Sequence, residues 1–308
     1  MTFFEKAQNL QEFGDRLISQ TQNKFHISSE QIALTFLAYN QPSVINTATD
    51  PISFWSRKVF GYSHRGSELI YPASVIKLFY MVALQEWVHR GMLAQTLEIE
   101  RAQLDMIVDS SNDATGLIVD VLTGTTSGGE LSDSPFGTWK SQRQIVNRYF
   151  NSLEIPDYKY LNICQKTWGD GPYGRERAFY GTDMSNRNLL TTNATAHLLH
   201  SIISGIAVDG DRCLKMQELL KRSLKPEDLK ADPENQVTGF LGGGLPQTAS
   251  LWSKAGLMSK VRHDAAYIEI PDKSAFTLVV FTDGHAQNEE ILPFICSEIV
   301  ANFSPDIF

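Results

Sequence analysis

The first stretch of the chain places apolar side chains at Phe3, Phe4, Ala7, Leu10, Phe13, Leu17 and Ile18, a spacing that predicts a helix over 3–22. The run Ile32–Tyr39 is apolar almost throughout and predicts a buried strand, closed by the breaker Asn40-Gln41-Pro42-Ser43. A second strand is expected from Ser53 to Tyr62. From about Pro72 to about Ser204 the pattern is mostly helical, interrupted by a loop-like insertion at Thr123–Gly137. The tail returns to strands at 249–257, 265–270 and 276–282, with Pro271-Asp272-Lys273 as the turn between the last two. A final helix is expected over 288–302, with Pro293 in its first turns, where a missing N–H is tolerated.

Strands at both ends with helices between them imply one sheet assembled from both termini, carrying an inserted helical region. That is an α+β organisation, not a series of βαβ units. The expected division is a discontinuous sheet domain (1–67 and 206–308) and a helical domain (68–205).

Composition narrows the partners. The chain has 308 residues, 42% of them hydrophobic and 20% charged, enough for a folded core. Its formal net charge of −8, with no run of Lys or Arg, excludes the basic face that nucleic-acid binding needs. A small-molecule or protein partner remains. No segment has the roughly 18 consecutive apolar residues of a membrane span. Glu5, Gln8, Asn9, Gln11, Glu12 and Asp15 break any signal-like apolar stretch, so a cytoplasmic location is expected from the sequence as written. Cys164, Cys213 and Cys296 are odd in number and widely spaced, which suits neither a disulfide framework nor a zinc site.

Three short patterns carry candidate chemistry. Ser74-Val75-Ile76-Lys77 follows Tyr71-Pro72-Ala73 and opens a segment that is apolar nearly all round, so Ser74 and Lys77 share one face of a buried helix. Lys77 either snorkels to solvent or is desolvated, and a desolvated amine is a base for a serine hydroxyl. Ser110-Ser111-Asn112 lies between two helical patterns. It is either an ordinary capped turn, with Asn112 or Asp113 as N-cap, or a polar tip offering a hydroxyl and an amide. Lys254-Ala255-Gly256 opens a late strand, where a glycine often marks close approach of another backbone or a ligand.

Each pattern is commonplace alone. Together, once each and in this order, they resemble the serine hydrolases of the penicillin-binding and class A β-lactamase type. Phe60-Gly61-Tyr62 ahead of Tyr71-Pro72-Ala73-Ser74, Leu190-Thr191-Thr192-Asn193-Ala194, and Gly244-Leu245-Pro246 ahead of Lys254 extend the likeness over roughly residues 30–303. The resemblance implies an antiparallel sheet flanked by helices, an active site at the interface of the two domains, and hydrolysis of an amide, foremost a β-lactam ring, through a covalent acyl-enzyme. A penicillin-binding D-Ala-D-Ala peptidase, an esterase-like relative with slow deacylation, and a non-catalytic ligand-binding relative are the alternatives. No metal or organic cofactor is implied, and the partner is a small molecule bearing a carboxylate. Ser74 would be the nucleophile, Lys77 its proton acceptor and Ser110 the proton donor to the leaving nitrogen. Asn112 would hold the substrate amide and Lys254, with Ala255 and Gly256, its carboxylate; the N–H groups of Ser74 and Leu257 would form the oxyanion hole.

The sequence departs from that family in several places. Glu176 is the one carboxylate near the place of the family's deacylating glutamate. It stands between Arg175 and Arg177, as a solvated charge or as that base. Tyr180 stands near the place of the accompanying asparagine, and Leu190 replaces the loop-pinning aspartate. Ser110 follows Ser74 by only 36 positions, which implies a trimmed, more open pocket, and bulky Leu257 replaces a small residue. Gly169-Asp170-Gly171-Pro172-Tyr173-Gly174 fits a dinucleotide-loop pattern but lacks a following acid at 189–195 and is expected to be a loop.

Overall fold

The computed structural model describes residues 3–48, 50, 52, 54 and 59–303. The chain divides into two compact units, Met1–Glu68 with Thr191–Phe308, and Leu69–Leu190.

The first unit is built on a six-stranded antiparallel sheet. Its strands are β1 (Ile32–Ala38), β2 (Phe60–His64), β3 (Lys221–Arg222), β4 (Ser250–Leu257), β5 (Val261–Glu269) and β6 (Phe276–Asp283), ordered β2-β1-β6-β5-β4-β3. β1 and β6 are buried at every position but Asp283, because both faces of the sheet are covered; that is why they read as continuous apolar runs rather than alternations. On one face, α1 (Gln8–Phe25) and α10 (Ile291–Asn302) bring Leu10, Phe13, Leu17, Ile295 and Ile299 onto Leu34, Phe36, Leu278 and Val280. Against the other lie α8 (Thr192–Ser204), which touches β1, β5 and β6, and α9 (Gly210–Leu220), which touches β4. Every residue of α8 is buried. The sequence reading assigns 191–205 to the helical part; the structure counts it with the sheet, because α8 is apolar enough to cover that face.

Differences from the predicted elements are mostly of register. The first helix starts at Gln8, not at residue 3, and runs on to Phe25. Of the strand expected over 53–62, Ser53 and residues 55–58 lie outside the described residues, and β2 extends past it to His64. The final helix begins at Ile291, with Pro293 in its first turn as expected. β3 is only two residues long and has no periodic signature.

The second unit is helical: α2 (Lys77–His89), α3 (Leu97–Ile107), α4 (Asn112–Thr123), α5 (Asp133–Arg143), α6 (Ile145–Ser152) and α7 (Gly174–Tyr180). α2 is its centre. Leu78 to Ala83 are all buried, as the unbroken apolar run requires, and Phe79 packs edge-on against Phe150. The stretch expected to be a loop already turns helical at Asp133. A long segment from 161 to 190 returns on itself, with Asn162 and Leu189 exchanging both backbone hydrogen bonds (3.0 and 2.9 Å). The glycine pattern at 169–174 lies in it as loop, with the seven-residue α7 opening only at its last glycine.

Candidate active site

Pro72 leads into a short 3₁₀ turn, Ala73–Ile76, that runs directly into α2. Ser74 is half-buried on that turn. Ala73 is held at φ 47°, a left-handed conformation unusual for a residue with a Cβ, so the backbone is strained immediately before the candidate nucleophile.

Lys77, the first residue of α2, does not snorkel. Its side chain is fully buried, and burial pushes its ammonium down to about 7. It is hydrogen-bonded all the same. Nζ donates to the carbonyl oxygen of Ser110 at 2.6 Å, to the Asn112 Oδ1 at 3.0 Å and to the Ser110 Oγ at 3.2 Å. These are neutral acceptors, so nothing in the trio offsets desolvation with a negative charge.

The turn that delivers Ser110 and Asn112 joins α3 to α4. Ser110 has φ 57°, which swings its carbonyl and hydroxyl to the same amine. The N-cap is Ser111, not Asn112 or Asp113 as the sequence suggests: its Oγ accepts from the Ala114 N–H at 3.1 Å. Asn112 is thereby released from capping duty, exposed to solvent and turned onto Lys77.

The structure overturns the solvated reading of Glu176. It is not solvated between its neighbouring arginines; it is fully buried, in the first turn of α7. Its Oε1 accepts from Arg143 at 2.6 Å and from the Ser127 hydroxyl at 2.8 Å, with Lys166 3.8 Å away. Arg143, itself fully buried, reaches Asp120 at 3.3 Å, and Asp120 takes Lys166 at 2.6 Å. Two carboxylates, two cations and the Ser127 hydroxyl form one cluster, in which the Glu176 Oε2 and the Arg143 Nη1 are buried without a hydrogen-bond partner. Its members are spread over α4, α5, α7 and two loops, so no local spacing points to it. None of Glu176's partners is Ser74, Lys77, Ser110 or Asn112.

In the sheet unit, Lys254 sits on β4 and is likewise buried. Its Nζ donates to the Gln236 Oε1 at 2.5 Å and to the Ala255 carbonyl at 2.9 Å, and Gln236 also takes the Ala255 N–H at 3.1 Å. Gln236 was not singled out from the sequence; it lies in a loop, 18 positions away, with no pattern around it. Ala255 and Gly256 follow within β4, opposite Asp264 and His263, and Leu257 ends the strand half-exposed. Asp264, fully buried and accepting from the Leu241 and Ala265 N–H groups, is pushed up to about 7 by burial.

Ser74 at the mouth of a buried helix, the desolvated Lys77 one turn on and Ser110 on that lysine are the groups that the sequence's resemblance to the β-lactamase type names together. Comparison with known proteins agrees. The profile of the beta-lactamase enzyme family matches residues 52–301, and the chain belongs to that family. Among solved structures, a β-lactamase from Sphaerobacter thermophilus superposes with a TM-score of 0.60 at 17% identity, covering 92% of this chain and 95% of its own. PBP-A superposes with a TM-score of 0.61 at 15% identity and 97% coverage of both chains. A β-lactamase from Xanthomonas campestris gives 0.61 at 14%, over 95% of this chain and 98% of its own. At such identities the likeness establishes the fold. No curated protein sequence matches the chain. Among the described residues no helix is long and apolar enough to cross a membrane.

Proposed function

We propose that the protein is a serine acyl-transfer hydrolase that opens β-lactam rings through a Ser74 ester. The observation that carries this reading is Lys77: a buried amine with its pKa brought to about 7, hydrogen-bonded to Ser110 and Asn112. Near neutral pH about half of such lysines are uncharged and able to accept a proton. In the proposed reaction Lys77 takes the Ser74 hydroxyl proton as Oγ attacks the ring carbonyl. The carbonyl–nitrogen bond breaks, and Ser110 hands a proton to the leaving nitrogen, recovering one from Lys77. Asn112 holds the amide of the acyl side chain and Lys254 the substrate carboxylate. The N–H groups of Ser74 and Leu257 steady the oxyanion.

A second reading, in which the acyl-enzyme is long-lived, is favoured by the commitment of Glu176 to Arg143 and Ser127. A deacylating base must reach the attacking water, and the Oε1 of this carboxylate is held by Arg143 and Ser127. One of the structural relatives is a PBP-A variant captured as an acyl-enzyme complex with penicillin G. The test is to mix the protein with penicillin G and follow ring opening and intact mass together. Ring opening that stops at one equivalent with a lasting adduct supports the slow-deacylating form. Continued ring opening without an adduct supports a β-lactamase. No ring opening and no adduct would remove both.

A further inference from the structure

α4 carries a glycine that packing does not demand. Gly116 sits in the helix interior, where a glycine weakens the helix. A Cβ built there would meet only the Lys166 Cδ, at 3.7 Å, an ordinary contact. What the glycine does is keep a groove open. Asn112, Gly116 and Asp120, at intervals of four, form its floor along one face of α4; the segment 166–169, with the Trp168 ring, is the facing wall. The groove has a volume of about 380 Å³ and starts at Asn112, the residue whose amide faces Lys77. From residue 112 to 120 the helix rises by roughly 12 Å. Leu117, which is 39% exposed, and Trp168 offer it apolar surface. Its charges are Asp113, Asp120 and Lys166, two carboxylates to one ammonium. Lys166 is already spent on Asp120 and Ser127, whereas Asp113 is exposed in the first turn of α4.

We infer that this groove is an acyl-side-chain subsite selecting substrates with an extended side chain that bears an ammonium group. The inference rests on the Ser74 acyl-enzyme reading. An acyl group whose amide is held at Asn112 has its side chain at the groove's entrance. A short side chain leaves the groove to water; a chain of several methylenes lies over Gly116, against Leu117 and Trp168; an ammonium on it answers Asp113, since Asp120 is already paired with Lys166 and Arg143.

The test compares four penicillins with one nucleus and different acyl side chains: acetyl, and a linear six-carbon acyl chain ending in ammonium, methyl or carboxylate. Second-order acylation rate constants are read by intact mass. The ammonium-ended chain is expected to exceed acetyl by about tenfold, from burial of two or more methylenes. It should exceed its methyl counterpart by about threefold, as a partly exposed ion pair allows, with the carboxylate slowest. Gly116→Leu, a better helix former, should bring the long chains down to the acetyl rate and leave acetyl unchanged. Asp113→Asn should abolish the ammonium-over-methyl preference. Equal rates for all four probes in the wild type overturn the subsite while keeping the serine reading, as does an undiminished long-chain advantage in folded Gly116→Leu. If that variant does not fold, the wild-type series alone decides. No adduct with any probe overturns the serine reading and the subsite with it.

Discussion

The Lys77 amine lies 2.6 Å from the carbonyl oxygen of Ser110 and 3.2 Å from its hydroxyl, and burial rather than a neighbouring cation brings it toward neutrality. The contact depends on the left-handed Ser110, which turns both of its oxygens to one side. In the proposed reaction an amine held in this way is a base ready at neutral pH, with its proton relay already in contact.

Acylation should therefore follow the titration of Lys77. Its folded pKa is depressed, so the active, uncharged form accumulates as pH rises through about 7. Second-order acylation rates should climb by about tenfold per unit below that point and level off above it. Lys77→Ala should lower the plateau by about 10²–10⁴-fold. A flat profile across this range would assign the base elsewhere.

Asn112 supplies a neutral oxygen 3.0 Å from Lys77. Asn112→Asp places a negative charge there, which favours the ammonium. The acylation midpoint should move to higher pH, and activity at neutral pH should fall while the alkaline plateau partly recovers. An unmoved midpoint would mean that Asn112 does not face the base in solution.

The Arg143–Glu176 pair is a stability element. Arg143→Met leaves a buried carboxylate without its main partner and should cost about 3–5 kcal/mol in denaturant unfolding. The double variant Arg143→Met/Glu176→Leu removes both charges and should recover most of that loss. Additive losses would contradict the coupling.

Glu176→Gln separates structure from chemistry. With Oε1 shared between Arg143 and Ser127, the substitution should lower stability by about 1–3 kcal/mol and leave the lifetime of the acyl-enzyme unchanged. A folded Glu176→Gln enzyme whose adduct lasts many times longer would restore Glu176 as the deacylating base.

The framework of both units was legible in the sequence wherever a side-chain period is enforced by burial. β1, β4 and β6 and the buried α2 were visible because their apolar runs face covered surfaces. β3 was not, since two residues carry no period. The contact of Lys77 with Ser110 and Asn112 could be anticipated only through motif order; no local pattern crosses the 33 positions from Lys77 to Ser110. The apolar helix that begins with Lys77 leaves a snorkelled and a desolvated amine both open; the fold decides for the second by burying the side chain fully. The environment of Glu176 lay out of reach. Its flanking arginines suggested a solvated charge, whereas the cation that holds it, Arg143, is 33 positions away on another helix. The cap, Ser111, lies one residue before the expected Asn112, since Ser, Asn and Asp are near-equivalent caps and only the turn geometry separates them.

The most direct test of the account is to find where an acyl group lands. The protein is incubated with penicillin G at neutral pH, quenched, digested and mapped by mass spectrometry. One penicilloyl group per chain is expected, on the peptide carrying Ser74, captured at early times and absent from Ser74→Ala. Modification at another residue, or an adduct that forms equally well in folded Ser74→Ala, would contradict it.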